Sequence, residues 1–377
     1  MHVAVSLAIL TAIFFYKRID VGPLRTALGR INGPILAATI ICSVLIHIFV
    51  GAHKLWRIMC AMGVDISYGE TLKVRLGAGP LRLLVPLDVG EVVNVLYFFR
   101  RKKMPLGHAS GAIALDKGLN LIGVTYWLLL GLIVLPSRSS PSKMLLTVAL
   151  GVLYIGVFFW VPLHNFAVRA AGTVHPKLGR FVEGLVAPLR EFPAAKKLYF
   201  LLYGFLFNLR PLAVCFLLFR AHGVHAGAVR TLTGASLAIL AGHIPGSLVG
   251  IGPREFVFLE AFTSAAPSEV IFSVALMMTL TVHIIPMVAG IPWLPWFVKE
   301  LAQSSRAVTE RPVNVPAFRP KRGGAVRLGL SEAGCGADAV NNESVPPALA
   351  ALDMDGQRSD EPAQCHGGAS IKTEGID

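Results

Sequence analysis

Two residues stand out for where their charge lies. Arg254 and Glu255 follow Gly250-Ile251-Gly252-Pro253 inside an otherwise apolar stretch, Val229–Phe262. Proline suits the first turn of a helix, and a glutamate there offsets the positive end of the helix dipole. The same spacing suits a binding role, because a helix start in a dry setting presents free N–H groups and here an arginine, a combination that holds phosphate. Glu91, with Asp88 and Gly90, stands in a matching place after Pro86, and Arg75 and Arg82 lie upstream. Asp88 also fits a plain capping role at the helix start. Asp116 and Lys117 interrupt a third apolar run; helix neighbours point apart, so they do not pair with each other. Charges at such positions are functional candidates by default, while Lys117 is long enough to snorkel to an interface. His47, His243 and His283 read as interhelical hydrogen bonders rather than a proton relay.

The elements that must carry these residues are membrane helices. Of the 377 residues 54% are hydrophobic and 15% charged, against roughly 25% charged in soluble domains. Mean hydropathy is +0.63. The net charge of +13 sits in short stretches between apolar runs, which argues against nucleic acid as the partner. Runs suited to crossing a bilayer are Val3–Tyr16, Pro34–Val50, Leu119–Leu135, Met144–Val161, Leu198–Phe219 and Val270–Val298. The first lacks the flanks of a cleaved leader and reads as a retained anchor. The sequence predicts an all-α bundle over residues 1–300, with about six full spans.

Two further stretches, Tyr68–Phe99 and Val229–Phe262, are interrupted by Pro and Gly. Lipid cannot satisfy the backbone groups that such breaks release, so the expectation is two re-entrant helix pairs shielded by protein or a wet cavity. The pairs resemble each other: Pro86 and Pro245, Glu91 and Glu255, and Pro105 and Pro267 are separated by 159, 164 and 162 positions. Three full spans between them invert the second copy, the arrangement of many transporters. Gly242, Gly246 and Gly250 read as close-approach loop glycines. The positive-inside rule places Arg100-Arg101-Lys102-Lys103 and the basic stretch His164–Lys197 in the cytoplasm, and Ser137–Ser142 outside. From Leu301 the composition changes: 77 residues carry six prolines, 8 basic and 10 acidic residues, the profile of a disordered cytoplasmic tail. The remainder carries +15 and favours anionic lipid surfaces.

No nucleophile elbow, P-loop, HExxH or dinucleotide fingerprint occurs, and the five cysteines form no CxxC pair. We therefore expect no enzyme, cofactor or metal site, a membrane-embedded transferase being the lesser reading.

Trp56-Arg57, Pro86–Glu91 and above all Pro245-Gly246-Ser247-Leu248-Val249-Gly250-Ile251-Gly252-Pro253-Arg254-Glu255 give the chain a family likeness. Over about residues 1–300 it resembles the lysylphosphatidylglycerol synthase transmembrane, or flippase-like, family. Where that family tends to place arginine three positions after the acidic residue, this chain has Asn94, and a family-like Glu-Arg pair is here Asp116-Lys117. The resemblance implies a multi-pass protein of the bacterial cytoplasmic membrane, with lipid translocation or association with envelope-lipid pathways. Its partner would be an anionic phospholipid or a lipid-linked envelope precursor; the alternative is a non-catalytic accessory protein holding an envelope-lipid enzyme. Lipid-binding candidates are Arg254, Glu255, Gly250, Gly252, Pro245, Glu91, Asp88, Arg82, Asp116 and Lys117. Members fused to a soluble aminoacyl-transferase domain make and flip lysyl-phosphatidylglycerol, and the 77-residue tail is too short to be that domain.

Overall fold

The computed structural model describes residues 2–81, 90–134, 141–244 and 250–309, and among these only helices and turns occur. Pro86, Arg82, Asp88 and Pro245, with the cores of both predicted breaks, lie outside the described residues, as does the chain from 310 onward. Among the described residues four helical segments are long and apolar enough to cross a bilayer: Gly33–Ala61, Leu106–Val134, Ala194–Ala221 and Ser268–Gln303. A fifth candidate is a pair, Gly151–Phe159 and Val161–Val174, bent by 75°. The chain thus has the makings of a multi-pass membrane protein. The expected span Val3–Tyr16 falls short: α1 (His2–Tyr16) rises about 22 Å over 15 residues, below the ~30 Å of hydrocarbon.

After α1 come α2 (Val21–Gly29) and α3 (Gly33–Leu45), which runs through a π turn (Ile46–Val50) into α4 (Gly51–Ala61). Asn32 starts α3 by accepting the Ile35 N–H at 3.1 Å, with Pro34 in the first turn. The π turn displaces carbonyls from helical register, and two tyrosines meet them: Tyr68 Oη donates to Phe49 O and Tyr203 Oη to Val50 O. Trp56 and Arg57 lie within α4.

The first interrupted stretch comprises α5 (Tyr68–Ala78) and α6 (Gly90–Arg101); the second comprises α13 (Ala228–Ala241) and α14 (Pro253–Phe262). Between them run α7 (Leu106–Val134), α8 (Pro141–Phe159), α9 (Val161–Val174), α10 (Pro176–Glu191), α11 (Ala194–Phe207) and α12 (Leu209–Ala221). Much of the basic stretch expected between spans is the helical hairpin α9–α10, whose Gly172 and Gly179 meet. The chain continues through α15 (Ser268–Thr279), a second π turn (Leu280–Ile284), α16 (Ile285–Val288) and a 3₁₀ turn (Ile291–Trp293) into α17 (Leu294–Thr309). Helix α17 carries regular structure past Leu301, where the composition changes.

Identical turns precede the two interrupted stretches. Gly63 and Gly223 end α4 and α12 at φ 77° and 72°. Around them Val64 N–H donates to Met59 O and Val224 N–H to Phe219 O, and Gly63 and Gly223 each donate three residues back. Thr71 and Thr231, again 160 positions apart, each bond the carbonyl four residues back through both N–H and hydroxyl. Two cores follow the same division. One gathers Tyr97, Phe98 and Phe297; the other gathers Phe219, Phe258 and Phe262, with Phe219 and Phe262 centroids 4.7 Å apart.

Helix α7 is the axis of the packing. In lipid, helices associate through close backbone approach more than through hydrophobic driving force, so interfaces favour small residues. Gly107 and Gly111 meet α10 at Gly184, and Gly123 meets α11 at Gly204. A Cβ on Gly204 would stand 2.6 Å from Leu119 O, where neither backbone can yield. We predict that Gly204→Val costs about 1–3 kcal/mol. Gly156→Ala, in a helix interior with nothing within 4 Å, should not destabilise and gains up to about 1 kcal/mol of helix propensity. Unfolding of both variants in detergent checks this; equal effects contradict it.

Candidate functional site

The Arg254 region is built by two glycines and a short helix. Gly250 (φ 79°) and Gly252 (φ 109°) turn the chain into α14, and Pro253 fills its first turn. Glu255 turns back on this start: its Oε2 accepts the Gly252 N–H at 2.6 Å, and its Oε1 accepts the Thr279 hydroxyl at 2.6 Å. Thr279 Oγ1 in turn accepts from Arg254 Nη1 at 3.2 Å. One α15 hydroxyl thus bridges cation and carboxylate, and all three side chains are buried. The guanidinium lies on bare backbone: a Cβ on Gly242 or Gly250 would stand 2.9 or 2.5 Å from Arg254. Glu255 therefore performs the capping role expected of it. Glu260, on the same helix, pairs instead with Lys17, the residue that follows α1.

The second group centres on Asp116. As expected it does not pair with Lys117. Its Oδ1 meets Lys54 Nζ at 2.9 Å, and Oδ2 lies 3.8 Å from Arg75 Nη1. Lys54 is fully buried and its ammonium is saturated: beyond the carboxylate it donates to Asp116 O and to Asn120 Oδ1. Arg75 packs on Gly51 of α4, where a Cβ would stand 2.7 Å from the guanidinium. Lys117 pairs with Glu91 Oε1 at 2.6 Å, and Glu91 Oε2 accepts from Asn94 at 2.8 Å. The Glu91–Lys117 contact in the first half has the placement of Glu255–Thr279 in the second, 164 and 162 positions on.

Sequence reading passed over Lys54 and Arg210. Arg210 opens α12 beyond a helix break at Asn208, in the run Leu198–Phe219, where one charge is diluted among aliphatics. It is 9% exposed, donates to Ser43 Oγ at 2.9 Å and lies 5.7 Å from the centre of the Phe207 ring. Among the described residues no carboxylate pairs with it. An arginine at the centre of a membrane helix costs about 2.5–3.5 kcal/mol on insertion scales, so it needs compensation. The Phe207 ring links the groups: Lys54 Nζ lies 5.1 Å and the Arg210 guanidinium 5.7 Å from its centre. In all, five buried cations (Lys54, Arg75, Lys197, Arg210 and Arg254) stand against three buried carboxylates (Glu91, Asp116 and Glu255) among the described residues.

A buried pair that loses one member leaves an uncompensated charge, at a cost of about 3–5 kcal/mol, whereas replacing both by apolar groups is often neutral. We predict a loss of that size for Lys54→Met and recovery of most of it in Lys54→Met/Asp116→Leu. Melting in detergent checks this; a double variant no more stable than the single contradicts it.

No curated protein matches the chain, and no solved structure matches it. The profile of the family described as "Lysylphosphatidylglycerol synthase TM region" matches residues 1–290. With more than half of its length matched, from α1 through Gly290 and across both charged groups, the chain belongs to the lysylphosphatidylglycerol synthase transmembrane region family.

Proposed function

We propose that the protein is a flippase-like transporter, which moves an anionic phospholipid or lipid-linked envelope precursor across the bacterial cytoplasmic membrane. The observation that carries this reading is the excess of buried cations over buried carboxylates. Burying unpaired positive charge is costly, and an anionic headgroup entering the interior would relieve it. Family membership supports a lipid-related role.

On this reading the two interrupted stretches are re-entrant pairs in an inverted repeat. Their helices have 10 to 14 residues, a rise of at most about 21 Å, too short to cross alone. The repeated turns at Gly63 and Gly223 and the corresponding Glu91–Lys117 and Glu255–Thr279 contacts support a common design. Three crossings between the pairs, counting α8 and α9 as one bent span, turn the second copy over. Arg100–Lys103 and the C-terminal segment then face the cytoplasm.

In proteoliposomes containing labelled phosphatidylglycerol, the purified protein should expose label to an external quencher at least several-fold faster than protein-free vesicles. Rates equal to the protein-free control across several anionic lipids contradict translocation. For the orientation, a cysteine at position 101 in a cysteine-free background should resist an impermeant maleimide in intact cells, while one at position 139 reacts. Labelling at 101 overturns the topology.

A further inference from the structure

We propose that Arg210 is the centre of an interior phosphate-binding site at the junction of α11 and α12. The site is built rather than incidental. Arg210 lies eleven residues from Ala221, the end of its span, a rise of about 17 Å that places it near mid-helix. Its side chain is nine-tenths buried, its Nη1 donates to Ser43 Oγ, and its Nε is buried with no acceptor. Guanidinium holds phosphate through paired N–H donors, and here at least one donor remains unused.

The neighbours reinforce the field. Lys54 Nζ lies 5.1 Å from the centre of the Phe207 ring, and the Arg210 guanidinium 5.7 Å from the same centre. Phe207, under the guanidinium, also has the His47 ring 6.3 Å away. His47 and His283 each sit in a π turn, a helix irregularity that frequently marks functional positions. Among the described residues no carboxylate pairs with Arg210. Lys54 differs: its ammonium is saturated by Asp116 and Asn120, which leaves it no donor for a ligand. This site deepens the translocation reading and rests on it only for the source of the phosphate, a lipid headgroup rather than the free ion.

The test uses the full chain in detergent, with dioleoylphosphatidylglycerol, dioleoylglycerol and inorganic phosphate as separate probes. Native mass spectrometry reads retained lipid, and thermal melting reads folding and protection. Wild type should retain phosphatidylglycerol over the phosphate-free diacylglycerol. Arg210→Met should weaken that retention at least tenfold, Arg210→Lys should fall between, and Arg57→Met, which removes an exposed arginine, should stay within twofold. Because the substitution removes an unpaired buried charge, Arg210→Met should melt no lower than wild type without lipid. Arg210-dependent protection by inorganic phosphate alone would support the anion site and assign it to the free ion. Wild-type retention of phosphatidylglycerol by folded Arg210→Met overturns the proposal, as does a wild type that binds neither probe. Transport by the same preparations separates the two readings. Equal lipid movement by wild type and Arg210→Met sinks this site and spares translocation; Arg210-dependent binding without movement does the reverse.

Discussion

A lysine ammonium with no exposed surface has to find every one of its partners inside the protein. Lys54 finds them on α7, where the Asp116 carboxylate, the Asp116 carbonyl and the Asn120 side chain take its three donors. Desolvating the two ions costs several kcal/mol each, repaid only when geometry and further hydrogen bonds are good. That requirement fixes α4 against α7 and, through Arg75, brings α5 to the same carboxylate. Helix α7 meets it by being glycine-rich on the faces turned to α10 and α11, so that backbones approach closely around a charged centre. The rest of the bundle follows from this one buried pair and the helix that carries half of it.

The second half meets the same physical problem with less charge. Thr279 stands where the first half has Lys117, and it ties Arg254 to Glu255 through a neutral hydroxyl. Arg254 rests on the backbone of Gly242 and Gly250, and Glu255 is used by the helix start. Arg210 differs, because among the described residues its charge has no carboxylate partner and its Nε has no acceptor. A lipid phosphate could balance it and leave again, which a transport site requires and a saturated ion pair such as Lys54–Asp116 does not allow.

Much of this was legible in the residues. Apolar runs located the long helices, Pro and Gly located the interruptions, and Arg254-Glu255 was correctly placed at a helix start. The charges at Glu91, Asp116 and Lys117 were recognised as unusual. Their partners were not legible, because Lys54 and Asp116 lie 62 positions apart and Lys17 and Glu260 243, and neither spacing has a local signature. Thr279 looked like any threonine in an apolar run, and Arg210 vanished in the average of its neighbours. The hairpin α9–α10 was hidden because its basic residues imitate a polar loop, while its glycines and apolar face supply the packing.

The most direct test of the account is a density map of the protein in phosphatidylglycerol nanodiscs. The account predicts a headgroup phosphate inside the bundle, within hydrogen-bond reach of the Arg210 guanidinium, with Lys54 and Asp116 still paired beside it. An interior in which Arg210 meets a protein carboxylate, with lipid confined to the outer surface, would contradict it.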